Sequence, residues 1–219
     1  MALAIFDLDN TLIAGDSDHA WGEFLIQQEL VDAHLVKLAN DEFYRQYQQG
    51  GLDIQAYLKF ALSYLAGKSP MEVAPLHAQF MTDVIEPMLL PKAFELIEKH
   101  RAAGDTLLVI TATNRFVTGP IVKRLGIEHL IACEAEILDG RYTGQPTGVP
   151  SFQHGKVIRL GTWLAEQQLD LDGSWFYSDS HNDLPLLEQV VHPVAVNPDD
   201  KLTAIAQQRN WPILDLRAP

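Results

Sequence analysis

Residues 2–8, ALAIFDL, carry apolar side chains on both sides of the chain and admit one polar group, Asp7, near their end. A strand of that kind has no face to offer water, so it belongs in a parallel sheet covered on both sides. Two similar runs follow, Thr106 to Thr111 (TLLVIT) and Ser174 to Ser178 (SWFYS), each after an amphipathic stretch. The helix ahead of the second run is expected to open at Pro91 and to close at Gly104. Short strands alternating with helices predict an α/β fold with a doubly wound parallel sheet. Val194 to Val196 and Trp211 to Leu214 supply further strand-like runs, and Asp139-Gly140 is the dipeptide favoured in a two-residue hairpin.

Between the first run and the second lie about eighty residues without a strand signal, too many for a simple crossover. They predict an inserted α-helical cap over 15–87, with the core domain formed by 1–14 and 88–219. Trp21, Phe24 and Leu25 share one helical face; Leu35, Leu38, Phe43 and Tyr47 a second; Ile54, Tyr57, Leu58, Ala61 and Leu62 a third. Gly50 and Gly51 mark a break. Ser69 and Glu72 are spaced for a capping box that opens a fourth helix, with Val73, Leu76, Phe80 and Val84 on its apolar face.

Charge narrows the partners. The formal net charge is −13, which disfavours phosphate backbones and anionic lipid, so neither nucleic acid nor membrane is expected as a partner. No run of about twenty apolar residues is present, and the N-terminal stretch lacks a basic leader, so a cytoplasmic location is expected. The lone Cys133 allows no internal disulfide and no thiolate metal site, and it reads as a small buried apolar residue. Monomer and homodimer both remain open.

Ligands of open α/β sheets bind beyond the carboxyl ends of the strands. The polar residues that end the three runs should therefore converge: Asp7 and Asp9, Thr111, and Ser178 with Asp179. Gathering Asp7, Asp9, Asp179 and Asp183 without a counter-charge would cost roughly 4 kcal/mol per pair at about 4 Å and an effective dielectric near 20. A hard divalent cation such as Mg2+ is the natural compensation, and Lys156 offers a second positive charge. His154 and His181 read as polar loop residues.

In their order and spacing these motifs resemble the haloacid dehalogenase superfamily of aspartyl-phosphate phosphatases: DLDNT at Asp7 to Thr11, Thr111 after a strand, Lys156 near a helix start, and SDSHND at Ser178 to Asp183. The helical insert after the first motif is similar to that of the branch containing phosphoserine phosphatase. The DSDH segment and the length are similar to bacterial phosphoserine or histidinol-phosphate phosphatases.

The resemblance implies that Asp7 attacks phosphorus and that Asp9 protonates the leaving alcohol and then activates water. It also implies that Thr111 and Lys156 hold the phosphoryl oxygens. Mg2+ would be held by Asp7, the Asp9 carbonyl and Asp179, with Asp183 completing the metal site or orienting Lys156. The implied partner is a small phosphorylated metabolite bearing an amine, histidinol phosphate and phosphoserine first. Asp16 and Asp18 would face the leaving group, although Ser17 or Asp18 equally suits a helix cap. Asn114 and Arg115 would reach the phosphate or the substrate, and Arg45 a carboxylate. Asn10 stands where many relatives carry glycine, and Ala112, Thr113 and Asn114 stand where phosphoserine phosphatases usually have a serine followed by glycines.

Rival chemistries on similar residues are separated by single features. A dehalogenase needs no second aspartate, and a phospho-accepting receiver module carries no large helical insert; a phosphotransferase stays open.

Overall fold

The structure, a computed structural model, describes residues 2–218. Seven strands form one sheet in the order β4-β3-β2-β1-β5-β6-β7. They are β1 Leu3–Phe6, β2 Thr106–Asn114, β3 His129–Leu138, β4 Arg141–Thr147, β5 Trp175–Ser178, β6 His192–Val196 and β7 Ile213–Leu214. All neighbours pair in parallel except β3 and β4. That antiparallel pair turns at Asp139 and Gly140, whose φ of 50° and 76° are the two positive values the tightest hairpin turn requires.

Alternation along the central strands builds two cores. Ala4 and Phe6 of β1 with Leu107 and Val109 of β2 pack on one side; Leu3 and Ile5 with Leu108 and Ile110 pack on the other. Period-two burial on both faces is what a covered parallel sheet demands. β2 runs on past Thr111 to Asn114 through a register shift after Ile110, and β7 begins only at Ile213 rather than at Trp211.

The helices are α1 Ser17–Gln27, α2 Ala33–Gln49, α3 Ile54–Leu62, α4 Pro70–Phe80, α5 Glu86–Met88, α6 Pro91–Ala102, α7 Arg115–Arg124, α8 His154–Gln167, α9 Leu184–Leu187 and α10 Asp200–Arg209. The capping box at α4 is present in both directions, with 3.3 Å from the Glu72 amide to Ser69 Oγ and 2.7 Å from the Ser69 amide to Glu72 Oε2. α4 continues through a π-helical turn, Met81–Ile85, into α5. Among the described residues no helix is long and apolar enough to cross a membrane.

The long helical excursion leaves the sheet and returns at one place. Ile13 and Leu89 form an antiparallel bridge, and the Ala14 amide donates to the Met88 carbonyl at 2.8 Å. α1 and α4 share the core of the sheet: Trp21, Phe24 and Phe80 belong to the same cluster as Phe6 and Val109. α2 is attached differently, since Asn40 is its one fully buried residue. The expected apolar face of α2 is corrected here, because Leu35 and Leu38 are 63% and 56% exposed. The inward-facing stripe runs instead through half-buried Val36, buried Asn40 and half-buried Phe43 and Tyr47. A polar residue at its centre hides that stripe from a count of apolar positions.

Candidate active site

β1, the central strand, delivers Asp7 just past its carboxyl end, where the amide still pairs with the Tyr177 carbonyl at 2.9 Å. The chain then turns sharply: the amides of Thr11, Leu12 and Ile13 all point at the Leu8 carbonyl, and Asn10 takes a left-handed φ of 58° that asparagine tolerates. This turn places Asp7 and Asp9 side by side with different partners. Asp7 Oδ1 accepts from Lys156 Nζ at 2.8 Å, near the start of α8. Asp9 Oδ1 accepts the Ser17 amide at 2.7 Å, and its Oδ2 accepts the hydroxyls of Thr113 at 2.9 Å and Thr111 at 3.3 Å.

β5 closes the arrangement from the other side. The Thr11 hydroxyl lies 3.4 Å from Asp7 Oδ2 and 3.3 Å from Asp179 Oδ1, so one proton serves two carboxylates. Lys156 Nζ also donates to Asp183 Oδ2 at 2.7 Å, and Ser178 Oγ donates to the same oxygen at 2.7 Å. Two of the four carboxylates, Asp7 and Asp183, therefore share one ammonium. Burial pushes the Asp7 carboxyl up to about 7 against the pull of Lys156, with Asp183 and Asp9 adding to the rise. Burial and then Asp16 raise Asp9 to about 6, opposed by the hydrogen bonds from Ser17 and Thr113. Asp179 is raised by burial and by Asp7 and Asp183. Burial alone would depress the Lys156 ammonium, but Asp183 and Asp7 more than offset it and hold it above the ordinary lysine value.

Excess negative charge in a buried place calls for a cation, and the donor set is all oxygen. Among the described residues no three acidic, histidine or cysteine side chains close into a cage. An open set built around Asp7 and Asp179 suits a metal that keeps water and takes substrate oxygens as ligands, as Mg2+ does. Above these groups is a cavity of about 360 Å³, with Asp7, Asp9, Thr111, Lys156 and Asp179 among its lining residues and Phe43, Tyr47, Tyr57 and Phe152 among its aromatic ones.

A model of haloacid dehalogenase-like hydrolases matches residues 4–188, from β1 to the end of α9. The chain belongs to the haloacid dehalogenase-like hydrolase family. A histidinol-phosphatase of Neisseria meningitidis serogroup C is 49% identical to it over 98% of this chain and 99% of its own length. Phosphoserine phosphatase SerB1 of Mycobacterium tuberculosis is 32% identical over 99% of this chain and 71% of its own length. Among solved structures, a protein of unknown function from Bordetella pertussis Tohama I superposes with a TM-score of 0.91 at 46% identity, covering 98% of both chains. A substrate-bound phosphoserine phosphatase superposes with a TM-score of 0.70 at 17% identity over 99% of this chain and 95% of that one, a likeness of fold alone.

Within this haloacid dehalogenase-like hydrolase, four residues expected at the substrate lie elsewhere. Arg115 is bound by both Glu134 oxygens and the Leu130 carbonyl, and it does not line the cavity. Asn114 is consumed by two structural bonds, its Oδ1 accepting the Val117 amide to cap α7 and its Nδ2 donating to Asp18. Asp18 is buried behind the wall, where it also accepts the Tyr57 hydroxyl at 2.6 Å. It thus ties α1, α3 and β2 together instead of facing a leaving group. Asp16 does line the cavity, while its Oδ1 caps α1 through the amides of Asp18 and His19. Arg45 is exposed and engaged by Glu42 and Gln49.

The position of Asp18 has a measurable consequence. Burial pushes its carboxyl up to about 7, with the Tyr57 hydroxyl opposing and Asp16 and Asp9 adding. In the unfolded chain the same group ionises near the usual value of about 4. Between those values the folded state holds the extra proton, so this group lowers stability as pH rises from about 4 through 7. Asp18→Asn is expected to flatten that slope in thermal melts taken from about pH 5 to 8. A slope identical to the parent's would place the linked proton on another group.

The C-terminal end of α2 is gripped by side chains that no local sequence signal marks. The last carbonyls of a helix have no partner within it. Here the Tyr47 carbonyl accepts from Asn182 Nδ2 at 3.3 Å, the Gln48 carbonyl from Lys201 Nζ at 2.9 Å and the Gly50 carbonyl from Gln153 Nε2 at 3.3 Å. Tyr47 Oη adds a bond to Ser180 Oγ at 2.9 Å. Gly50, left-handed at φ 77°, is the one local sign of that helix end; the donors come from more than a hundred residues away.

Proposed function

We propose that the chain hydrolyses phosphomonoesters of small amine-bearing metabolites, histidinol phosphate or phosphoserine, through a phosphorylated Asp7. The observation that carries this reading is the unequal company of two carboxylates two residues apart: Asp7 rests on the Lys156 ammonium, Asp9 on hydroxyls and an amide. Such a pair divides nucleophile from proton carrier. The 49% identity with a histidinol-phosphatase supports the same chemistry.

Asp7 attacks phosphorus and the alkoxide departs with the proton that Asp9 supplies, for which a carboxyl raised to about 6 is suited. Water then attacks the acyl phosphate, Asp9 takes its proton, and Asp7 is regenerated as phosphate leaves. Lys156 screens the charge between nucleophile and phosphoryl group, and the Thr111 hydroxyl donates to a phosphoryl oxygen. Mg2+, held by the Asp7 and Asp179 carboxylates and the Asp9 carbonyl, would supply further neutralisation of the phosphoryl charge. Residues 15–87 act as the cap that excludes water over the strand ends, with 1–14 and 88–219 as the core. Asp16 is the acid suited to meet the substrate ammonium.

Phosphate release from a panel of phosphorylated metabolites tests the whole reading. Release is expected with Mg2+ present, to be lost on chelation, and to favour amine-bearing alcohols. Equal turnover of sugar phosphates would remove the amine preference, and release from no compound would remove the phosphatase assignment.

A further inference from the structure

We infer that this site selects leaving groups without a carboxylate, and so turns over amino-alcohol phosphates in preference to phosphoserine; the inference rests on the phosphatase reading above. Its basis is the charge available around the cavity. Of the two lysines that line it, Lys156 is held between Asp7 and Asp183 on the floor. Lys201 donates to the Gln48 carbonyl and stands 3.3 Å from His181 Nε2. No arginine lines the cavity among the described residues. Arg45 and Arg115, the two guanidinium groups that sequence placed near a substrate, are engaged outside it by Glu42 and Glu134.

The remaining charged lining is of the opposite sign. Asp16, Asp199 and Asp200 line the cavity beyond the catalytic carboxylates. His181 Nδ1 is bound at 2.7 Å to Asp199, and His19 lines the wall from the same turn as Asp16. Tyr47 and Tyr57 have their hydroxyls committed to Ser180 and Asp18, so these side chains offer the cavity chiefly their rings. Aromatic faces and carboxylates favour a cation. A substrate carboxylate would find no arginine here, the two lysines are already engaged, and it would be repelled by several aspartates, which is discrimination by an unfavourable contact.

The test compares O-phosphoserine, its methyl ester and phosphoethanolamine as competitors of whichever panel phosphomonoester is turned over fastest. The ester and phosphoethanolamine are expected to compete about 30-fold or more better than the free acid. Equal competition by acid and ester, or none by either, overturns the inference and leaves the phosphatase reading standing. Absence of any turnover in the panel removes both. A second arm adds a cation to the wall: Tyr44, which lines the cavity and is 57% exposed, is changed by Tyr44→Arg. The free acid alone is expected to gain, by about 10-fold; an equal change for acid and ester overturns the charge argument.

Discussion

Asp7→Asn is expected to leave the protein folded and to lower phosphate release on the order of 1,000-fold or more. The amide keeps the shape of the side chain and loses the attacking anion. Folding should survive because the substitution removes one of the two carboxylates that share the Lys156 ammonium, and Lys156 keeps Asp183 at 2.7 Å. The two readouts separate chemistry from structure. Thermal melts should match the parent or run slightly higher, since the group removed is one that burial already pushes up to about 7. In acid-quenched turnover mixtures, label from the phosphoryl group should remain on the parent protein and be absent from the variant. Turnover within a few-fold of the parent, or label retained on the variant, would refute Asp7 as the nucleophile.

How much of this could be read in the chain depends on how local each cause is. Apolar runs with both faces filled marked β1, the core of β2, and β5, and Asp-Gly marked the hairpin, because those signals lie within a few residues. The same runs brought Asp7, Asp9, Thr111 and Asp179 to one cavity, since a strand's end is where its apolar pattern stops. Thr113 was passed over although strand alternation puts it on the same face as Thr111, and its hydroxyl is the shorter of the two to Asp9. Other features have distant causes. Arg115 looked available because the Glu134 that claims it is nineteen residues away. The α2 stripe was misread because its buried centre is Asn40, against which a Cβ at Gly22 of α1 would come within 3.0 Å of the Asn40 amide nitrogen. That close approach is a tertiary fact, invisible to helical periodicity.

Lys156→Met is the variant expected to cost most in stability. Lys156 is 2% exposed, and its ammonium is the buried counter-charge shared by Asp7 and Asp183. Methionine keeps most of the length and volume, so the loss is electrostatic rather than a cavity. Leaving a buried ion without its partner typically costs about 3–5 kcal/mol, and that deficit is expected in urea unfolding at about pH 7.5 with a chelator present. Its dependence on pH has a definite sign. Lys156 is what restrains the Asp7 carboxyl against burial; without it the folded-state pKa of Asp7 rises beyond about 7, while the unfolded value stays that of an ordinary carboxyl. The folded variant therefore keeps the Asp7 proton to a higher pH than the folded parent does, and its deficit against the parent should shrink as pH falls from about 9 toward about 7, below which Asp7 is protonated in both folded proteins. A deficit that is constant across that range would mean the lysine acts through packing alone, and no deficit at about pH 7.5 would mean that the surrounding carboxylates are not ionised together in the folded protein.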